Sequence, residues 1–323
     1  MDVTAWLLDA DPAIRWQVLR DLVGASDEQV ATERARVARE GWGAALLGAQ
    51  ADDGRWDGGV YRPGWAQEDR PFFDAWTATH FSLCLLRELG ADPSDARVQR
   101  AVGLVREHVR WEANDAPYFE GEVEPCINGL ALANAAWAGE DGGAIAERLL
   151  SDQLADGGWN CWAEYGARTS SFHSTICVLE GLLAWERTRG VSADEAIRTA
   201  RLRGEGYLLE RRLFRRRSDG RVIDPRFTMA SYPTWWYYDV LRALDHLRAA
   251  SGLDGSAPDP RCDEAIELLR DRRLGDGRWA HELNHEGPTF LRVEEMEGSP
   301  GRWITLRAMR VLEWWEANGS SPA

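Results

Sequence analysis

Two stretches of the chain carry side chains of the types that bind zinc. Glu124 and Cys126 stand at the start of one predicted helix, and His173 stands at the start of the next. Thiolates, imidazoles and carboxylates hold zinc tetrahedrally, and a catalytic site leaves one position open. Neighbouring helices that begin at the same rim can bring these groups together, and a helix N-terminus favours the thiolate of Cys126. We therefore predict a zinc site of Cys126, His173 and Glu124, with Cys161 from the loop leading to the same rim as a further ligand.

A structural interpretation and a metal-free one stand beside the zinc prediction. A buried cysteine such as Cys126 can serve as a small core residue, and a histidine such as His173 can simply start a helix. Alternatively, Glu122 or Glu124, in an acidic run before the helix, would protonate an alkene, provided that neighbours keep the carboxyl protonated. Asp239 is a third candidate catalytic carboxylate.

Aromatic residues are concentrated where the predicted helices begin. Their flat faces suit a polyene or a carbocation, so we expect them to line a central cavity that takes an apolar substrate. The candidates for this lining are Trp76, His80, Phe172, Trp235 and Tyr238. The sequence Trp-Trp-Tyr-Tyr, which ends at Tyr238, is expected to open a helix.

A repeated turn organises the elements that must position these residues. It occurs at Gln50–Trp56, Gln153–Trp159 and Leu274–Trp279, each time with an Asp-Gly pair that favours a turn. A helical stretch precedes each turn, and a loop and a second helical stretch follow it. The second stretches are predicted at 74–89, 124–138, 170–186, 233–248 and 300–316. Their apolar residues recur three and four apart, which predicts an all-α chain of about five or six helical hairpins.

The turns that begin at Gln50 and Gln153 resemble the QW repeats of squalene and oxidosqualene cyclases and of the related prenyltransferase β-subunits. The third copy has Arg273 in place of the glutamine. The resemblance covers residues 40–316 and implies an α/α toroid, in which inner helices form a barrel surrounded by outer helices. It also implies an active cavity at the N-terminal rim of the inner helices.

The tryptophans of the repeated turns have a structural interpretation. Trp56, Trp159 and Trp279 are expected to clamp adjacent outer helices, because large buried aromatic residues usually carry packing. Gln50 and Gln153 are expected to cap backbone groups. These residues are therefore assigned to the scaffold and not to a site.

A second resemblance concerns the zinc ligands. The sequence Ser-Phe-His-Ser-Thr-Ile-Cys around His173 is similar to a stretch of prenyltransferase β-subunits whose histidine binds zinc. Their other ligands come from an Asp-x-Cys motif one hairpin earlier, where this chain has Glu124 and Cys126. The resemblance implies the same roles here, with Glu in place of Asp and Phe172 in place of Tyr. The Asp-x-Asp-Asp motif of class II terpene cyclases does not occur in this sequence.

Composition restricts the class of protein. The 323 residues include 17 tryptophans and 44% hydrophobic residues, enough for a large core in a single domain over 1–323. A net charge of −15 argues against nucleic acids and anionic membranes as partners. No apolar run reaches the roughly 18–20 residues of a membrane span. Five widely spaced cysteines and an acidic N-terminal stretch indicate reduced thiols, and so a cytoplasmic protein.

Three functions are consistent with these observations. The first is a zinc enzyme that acts on an apolar, isoprenoid-like substrate in a central cavity. The second is a metal-free cyclase or isomerase that uses Glu122 or Glu124. The third is a non-catalytic toroid that binds a lipid or a protein. The sequence does not distinguish oligomeric states.

Overall fold

The computed structural model describes residues 2–66, 75–189 and 195–319. The α-helices, in chain order, are α1 (Val3–Leu8), α2 (Pro12–Val18), α3 (Asp27–Ala35), α4 (Gly41–Gly48), α5 (Thr79–Leu89), α6 (Ala96–His108), α7 (Pro125–Ala138), α8 (Gly143–Ser151), α9 (Phe172–Arg189), α10 (Glu195–Leu209), α11 (Val240–Asp254), α12 (Asp263–Asp271) and α13 (Arg302–Gly319). Within these ranges there are isolated β-bridges but no β-strand. The all-α prediction is confirmed.

The helices form a closed ring of hairpins. Helices α2, α5, α7, α9, α11 and α13 form the inner layer, and each contacts its neighbour around the ring, α2 and α5 through hydrogen bonds of Trp16 and Gln17. Closure occurs at α2, where the Gln17 Oε1 atom accepts a hydrogen bond from Arg310 of α13 at 3.1 Å. The Gln17 Nε2 atom donates to the Glu88 carbonyl of α5 at 3.2 Å. The α/α toroid implied by the resemblance to QW-repeat proteins is therefore the observed architecture.

The closest inner packing joins α7 and α9. A Cβ atom added to Gly129 of α7 would lie 2.4 Å from the Cys177 carbonyl oxygen of α9. A Cβ atom added to Gly181 of α9 would lie 2.2 Å from the Gly129 carbonyl oxygen. Real Cβ atoms do not come so close to backbone, so these two glycines allow the helix backbones to touch. The contact fixes the relative register of the two helices whose starts carry Cys126 and His173.

The repeated turns act as the sequence indicated. The indoles of Trp56, Trp159 and Trp279 are buried, and each donates to a carbonyl of the preceding outer helix at 2.7 Å. The Gln153 amide donates to Gly157 in its own turn and to Ala200 on α10, which ties the turn to the next outer helix. Gln50 does the same with Gly54 and with Ala101 on α6, both at 3.0 Å. These side chains hold adjacent hairpins together.

Two predicted helix starts are wrong. Helix α5 begins at Thr79, so Trp76 precedes it, and residue 74 lies outside the described part of the chain. Helix α11 begins at Val240, so the Trp-Trp-Tyr-Tyr sequence lies before the helix and does not open it. Trp235 has φ of +50°, which an α-helix does not accommodate. The Asp239 carboxylate caps α11 by accepting the Arg242 N–H at 2.7 Å.

Helices α7, α9 and α13 agree with the predicted 124–138, 170–186 and 300–316 to within a few residues at each end. In the described ranges, each helix is too short or too polar to cross a membrane.

Candidate functional site

Three side chains of types that can bind a metal ion meet at the N-terminal rim of the inner helices. The ligand atoms of Glu124, Cys126 and Cys161 all lie within 4.8 Å of one another. The two sulfur atoms are 2.9 Å apart, and the Cys126 sulfur lies 3.7 Å from a Glu124 carboxylate oxygen. Two of these residues come from the start of α7 and the third from the loop before α9. Ring packing thus brings together groups that are 35 residues apart in sequence.

Ser174 positions the loop that carries Cys161. The Cys161 N–H donates to the Ser174 hydroxyl at 3.2 Å, and that hydroxyl lies 3.3 Å from the Cys161 sulfur. Ser174 belongs to the first turn of α9, so the loop is fastened directly to an inner helix. Sequence reasoning missed this residue, although it adjoins His173.

His173 lies outside the group of three. Its Nδ1 atom accepts the Tyr238 N–H at 2.9 Å, and its ring contacts Phe227, Trp236 and Tyr237 edge-on. Burial, followed by the positive charge of Arg242, lowers the pKa of His173 to about 4. Successive side chains of a helix point about 100° apart. Because Ser174 points to Cys161, the preceding residue, His173, points to Tyr238 instead.

The Cys126 thiol is held in its protonated form. Its pKa is raised well above the usual value, first by the hydrogen bond with Cys161 and then by burial. The helix N-terminus is expected to lower the pKa of Cys126, but the hydrogen bond with Cys161 and the burial of the sulfur outweigh that effect.

The donor set suits zinc. Two thiolates and a carboxylate are ligands that zinc takes, so Cys126 would lose its proton as the ion binds. Three protein ligands leave one position open. Tetrahedral zinc with Zn–S bonds of about 2.3 Å separates two thiolates by about 3.8 Å. The two sulfurs are 2.9 Å apart, so they would have to separate by about 0.9 Å on binding, whereas the Cys126 sulfur and the Glu124 oxygen, 3.7 Å apart, would move little. The donor atoms of Cys126, Cys161 and Glu124 are therefore of the types that zinc takes.

The other predicted carboxylates take part in backbone contacts. The Glu122 carboxylate accepts the Glu124 N–H at 2.6 Å, and burial raises the pKa of Glu122. Asp239 is buried, and besides capping α11 it accepts the Ser231 hydroxyl at 2.7 Å. These contacts support the local backbone at the two helix starts.

The predicted lining residues are buried and packed against other aromatic side chains. Trp76 stacks on Trp235, with ring centroids 5.3 Å apart. Phe172 packs edge-on against Tyr238 at 4.9 Å. His80 is fully buried, and its Nδ1 atom lies 3.0 Å from the Tyr118 hydroxyl. These side chains fill the N-terminal end of the ring.

A cavity on the ring axis is lined by residues other than these aromatic side chains. Its volume is about 340 Å³, and each inner helix contributes to its lining. None of the five predicted aromatic residues is among the lining side chains. Seven arginines and three carboxylates line it instead. On α7 the cavity is reached at Ala133, seven residues and so about 10 Å beyond Cys126 along the helix.

Sequence reasoning missed this charged lining, although a signal was present. Helix α11 carries Arg242, Asp245 and Arg248 at intervals of three, and α13 carries Arg307 and Arg310 at the same interval. Charges repeated at this spacing indicate a helix face in contact with water, and on the inner helices of a ring that face can line a polar cavity.

Two solved structures are among those that the comparisons with known proteins found to be similar to this chain. One is the crystal structure of a protein from Actinoplanes, with a TM-score of 0.45, 16% identity, and coverage of 95% of this chain and 90% of that chain. The other is a variant of the type II terpene cyclase MstE from Scytonema in complex with its substrate, geranylgeranyl dihydroxybenzoate. Here the TM-score is 0.36 with 15% identity, and coverage is 89% of this chain and 97% of that chain. No family model and no curated protein matches the sequence.

Proposed function

We propose that this protein is an enzyme whose active site lies at the N-terminal rim of the inner helices. Cys126, Cys161 and Glu124 would hold a zinc ion there, and an apolar, isoprenoid-like substrate would bind beside it. The observation that carries the proposal is the meeting of three metal-binding side chains from two separate segments. When bound, zinc supplies Lewis-acid chemistry that activates a thiol or a water.

The surroundings of the three side chains support this use. Ser174 orients Cys161, and such supporting contacts tune a metal site. Trp162 and Tyr165 follow Cys161 on the same loop, are 69% and 75% exposed, and contact each other. Exposed aromatic side chains next to a reactive group offer an apolar chain a surface to bind.

Metal content tests the proposal directly. Protein without a histidine tag, grown with zinc, should contain about one equivalent of zinc by elemental analysis. Cys126→Ser and Cys161→Ser should each lose the metal and keep their helical circular dichroism. Cys262→Ser is the control, because Cys262 is also a buried free cysteine but lies next to α12, outside the group of three. Metal-free wild type, or equal loss from the control, would contradict the zinc site.

Substrate chemistry is tested separately. Zinc-loaded protein is incubated with acyclic isoprenoid alcohols and diphosphates of several chain lengths, and products are identified by mass spectrometry. We expect conversion by wild type and none by Cys126→Ser. Binding without conversion would favour the lipid-binding toroid instead. Conversion by metal-free protein that is abolished in Glu122→Gln would favour the metal-free cyclase.

A further inference from the structure

We propose that the charged cavity on the ring axis is a binding site for a phosphorylated small molecule. The cavity is lined mainly by the C-terminal halves of α2, α5, α7 and α9 and by the N-terminal halves of α11 and α13. On α7 it lies about 10 Å along the helix from Cys126. The proposal does not depend on the zinc site.

The cavity holds more positive charge than its own carboxylates neutralise. Its seven arginines face three lining carboxylates, Glu88, Glu180 and Asp245. Asp21, beside the lining, pairs with Arg20 at 2.6 Å and with Arg310 at 3.4 Å, so the excess is three positive charges when all four carboxylates are ionised. The whole chain has the opposite sign, with a net charge of −15. Positive charge gathered in a recess of an acidic protein indicates selective attraction of an anion.

One carboxylate is shared by three of the arginines. Asp245 forms ion pairs with Arg248 at 3.0 Å, with Arg307 at 3.3 Å and with Arg310. Although burial acts to raise it, these arginines hold the pKa of Asp245 well below its ordinary value. Arg310 also pairs with Asp21 at 3.4 Å, so these three guanidinium groups share two carboxylates. Three guanidinium groups carry more N–H donors than two carboxylates use, which leaves donors available for a further anion.

The mouth and the floor of the cavity differ. At the mouth, Arg187 donates to the Ala249 carbonyl at 2.6 Å and makes no ion pair with a carboxylate in the described ranges. At the floor, Arg242 is 1% exposed and pairs with Glu180 at 2.6 Å. The uncompensated charge thus lies towards the mouth, where a ligand enters.

Buried polar atoms without partners lie on the same walls. His246 Nδ1, Tyr232 Oη and Trp303 Nε1 belong to lining residues, and each lacks a hydrogen-bond partner among the described residues. All three residues are less than one-tenth exposed. Unsatisfied buried polar groups are uncommon in folded proteins and call for an explanation, and a polar ligand provides one.

Phosphate is the anion that this chemistry favours. Guanidinium groups recognise phosphate through paired hydrogen bonds, and several arginines together suit a multiply charged group. A volume of about 340 Å³ lies at the small end of ligand pockets, which excludes a large polyanion. The ligand class is therefore a small metabolite that carries one or more phosphates.

Calorimetric titration with inorganic diphosphate tests the proposal, using the full chain at low ionic strength. We expect one site per chain, binding that weakens with added salt, and clearly weaker binding of citrate. Arg307→Gln should weaken diphosphate binding about tenfold to a hundredfold. Asp245 keeps two arginine partners in this variant. Arg187→Gln should also weaken diphosphate binding. Because it breaks no described ion pair, weaker binding in this variant is not explained by a folding defect.

Arg216→Gln is the matched control. It removes the same charge from the exposed loop after α10, where Arg212, Arg215 and Arg217 also lie. We expect diphosphate binding to be unchanged. No binding by wild type, equal binding of citrate, unchanged binding in both cavity variants, or an equal loss in Arg216→Gln would each overturn the proposal.

Discussion

Gly181 of α9 faces the Gly129 carbonyl oxygen of α7 across a gap that leaves no room for a Cβ atom, since that atom would lie 2.2 Å from the oxygen. The two helices whose starts carry the candidate site are thus held at backbone contact. Any side chain larger than hydrogen at this point must push the helices apart.

Gly181→Ala should therefore destabilise the protein by about 2–3 kcal/mol, the range for overpacking of a close interior contact. Gly206→Ala is the matched control, because Gly206 lies in α10 with open space around the added Cβ. That substitution should be neutral or stabilising by up to about 1 kcal/mol through helix propensity. Urea unfolding of the three proteins measures both changes. Equal stability of the two variants would contradict the close packing.

Thr175 connects a repeated turn to an inner helix. Its hydroxyl accepts the Trp159 N–H at 3.1 Å in a fully buried position. Thr175→Val preserves the shape but leaves that N–H unpaired, so the free energy of unfolding should fall by about 1–3 kcal/mol. Thr188→Val, on the exposed end of the same helix, should change it by less than about 0.5 kcal/mol. Thermal and urea unfolding of wild type, Thr175→Val and Thr188→Val measure both changes.

The burial of His80 predicts that the protein loses stability in acid. Burial, followed by the charge of Arg87, lowers the pKa of His80 to about 3, whereas an unfolded histidine has a pKa of 6.5. A lowered folded pKa means that stability is fully present above pH 6.5 and is lost as the pH falls towards 3. At pH 5 the expected loss from this residue is about 2 kcal/mol.

The measurement compares the free energy of unfolding at pH 8 and at pH 5. In His80→Gln the difference between the two pH values should shrink by about 2 kcal/mol, whatever the variant's absolute stability. His108→Gln, on the exposed end of α6, should keep the wild-type difference. An unchanged difference in His80→Gln would show that His80 does not titrate as its burial requires.

Ser174 supplies a prediction that rests on the proposed zinc site. Ser174→Ala removes the hydroxyl that contacts both the Cys161 sulfur and its N–H. Loss of such a supporting contact should weaken zinc binding about 10-fold to 100-fold. Ser171→Ala is the control, because the Ser171 hydroxyl accepts the Ser174 N–H at 3.4 Å instead. Competition with a chromophoric chelator measures the affinity, and equal weakening in both variants would argue against this role of Ser174.

The sequence by itself determined the all-α fold and the role of the repeated turns. Apolar spacing of three and four is a local property of each helix. The contacts made by Trp159 and Gln153 with adjacent hairpins follow from a motif of a few residues. The rim that carries Glu124 and Cys126 was also identifiable, because helix starts can be read from local sequence. The start of α11 was missed, since aromatic residues before the Asp239 cap resemble a helical stretch.

Only the tertiary structure decided which side chains meet. Cys161, and not His173, joins Glu124 and Cys126, because one step along a helix turns a side chain by about 100°, and only packing fixes that rotation. Ring closure depends on Arg310 and Gln17, which are 293 positions apart. The arginine cavity exists because that closure brings six helices around one axis, a relationship that no local pattern contains.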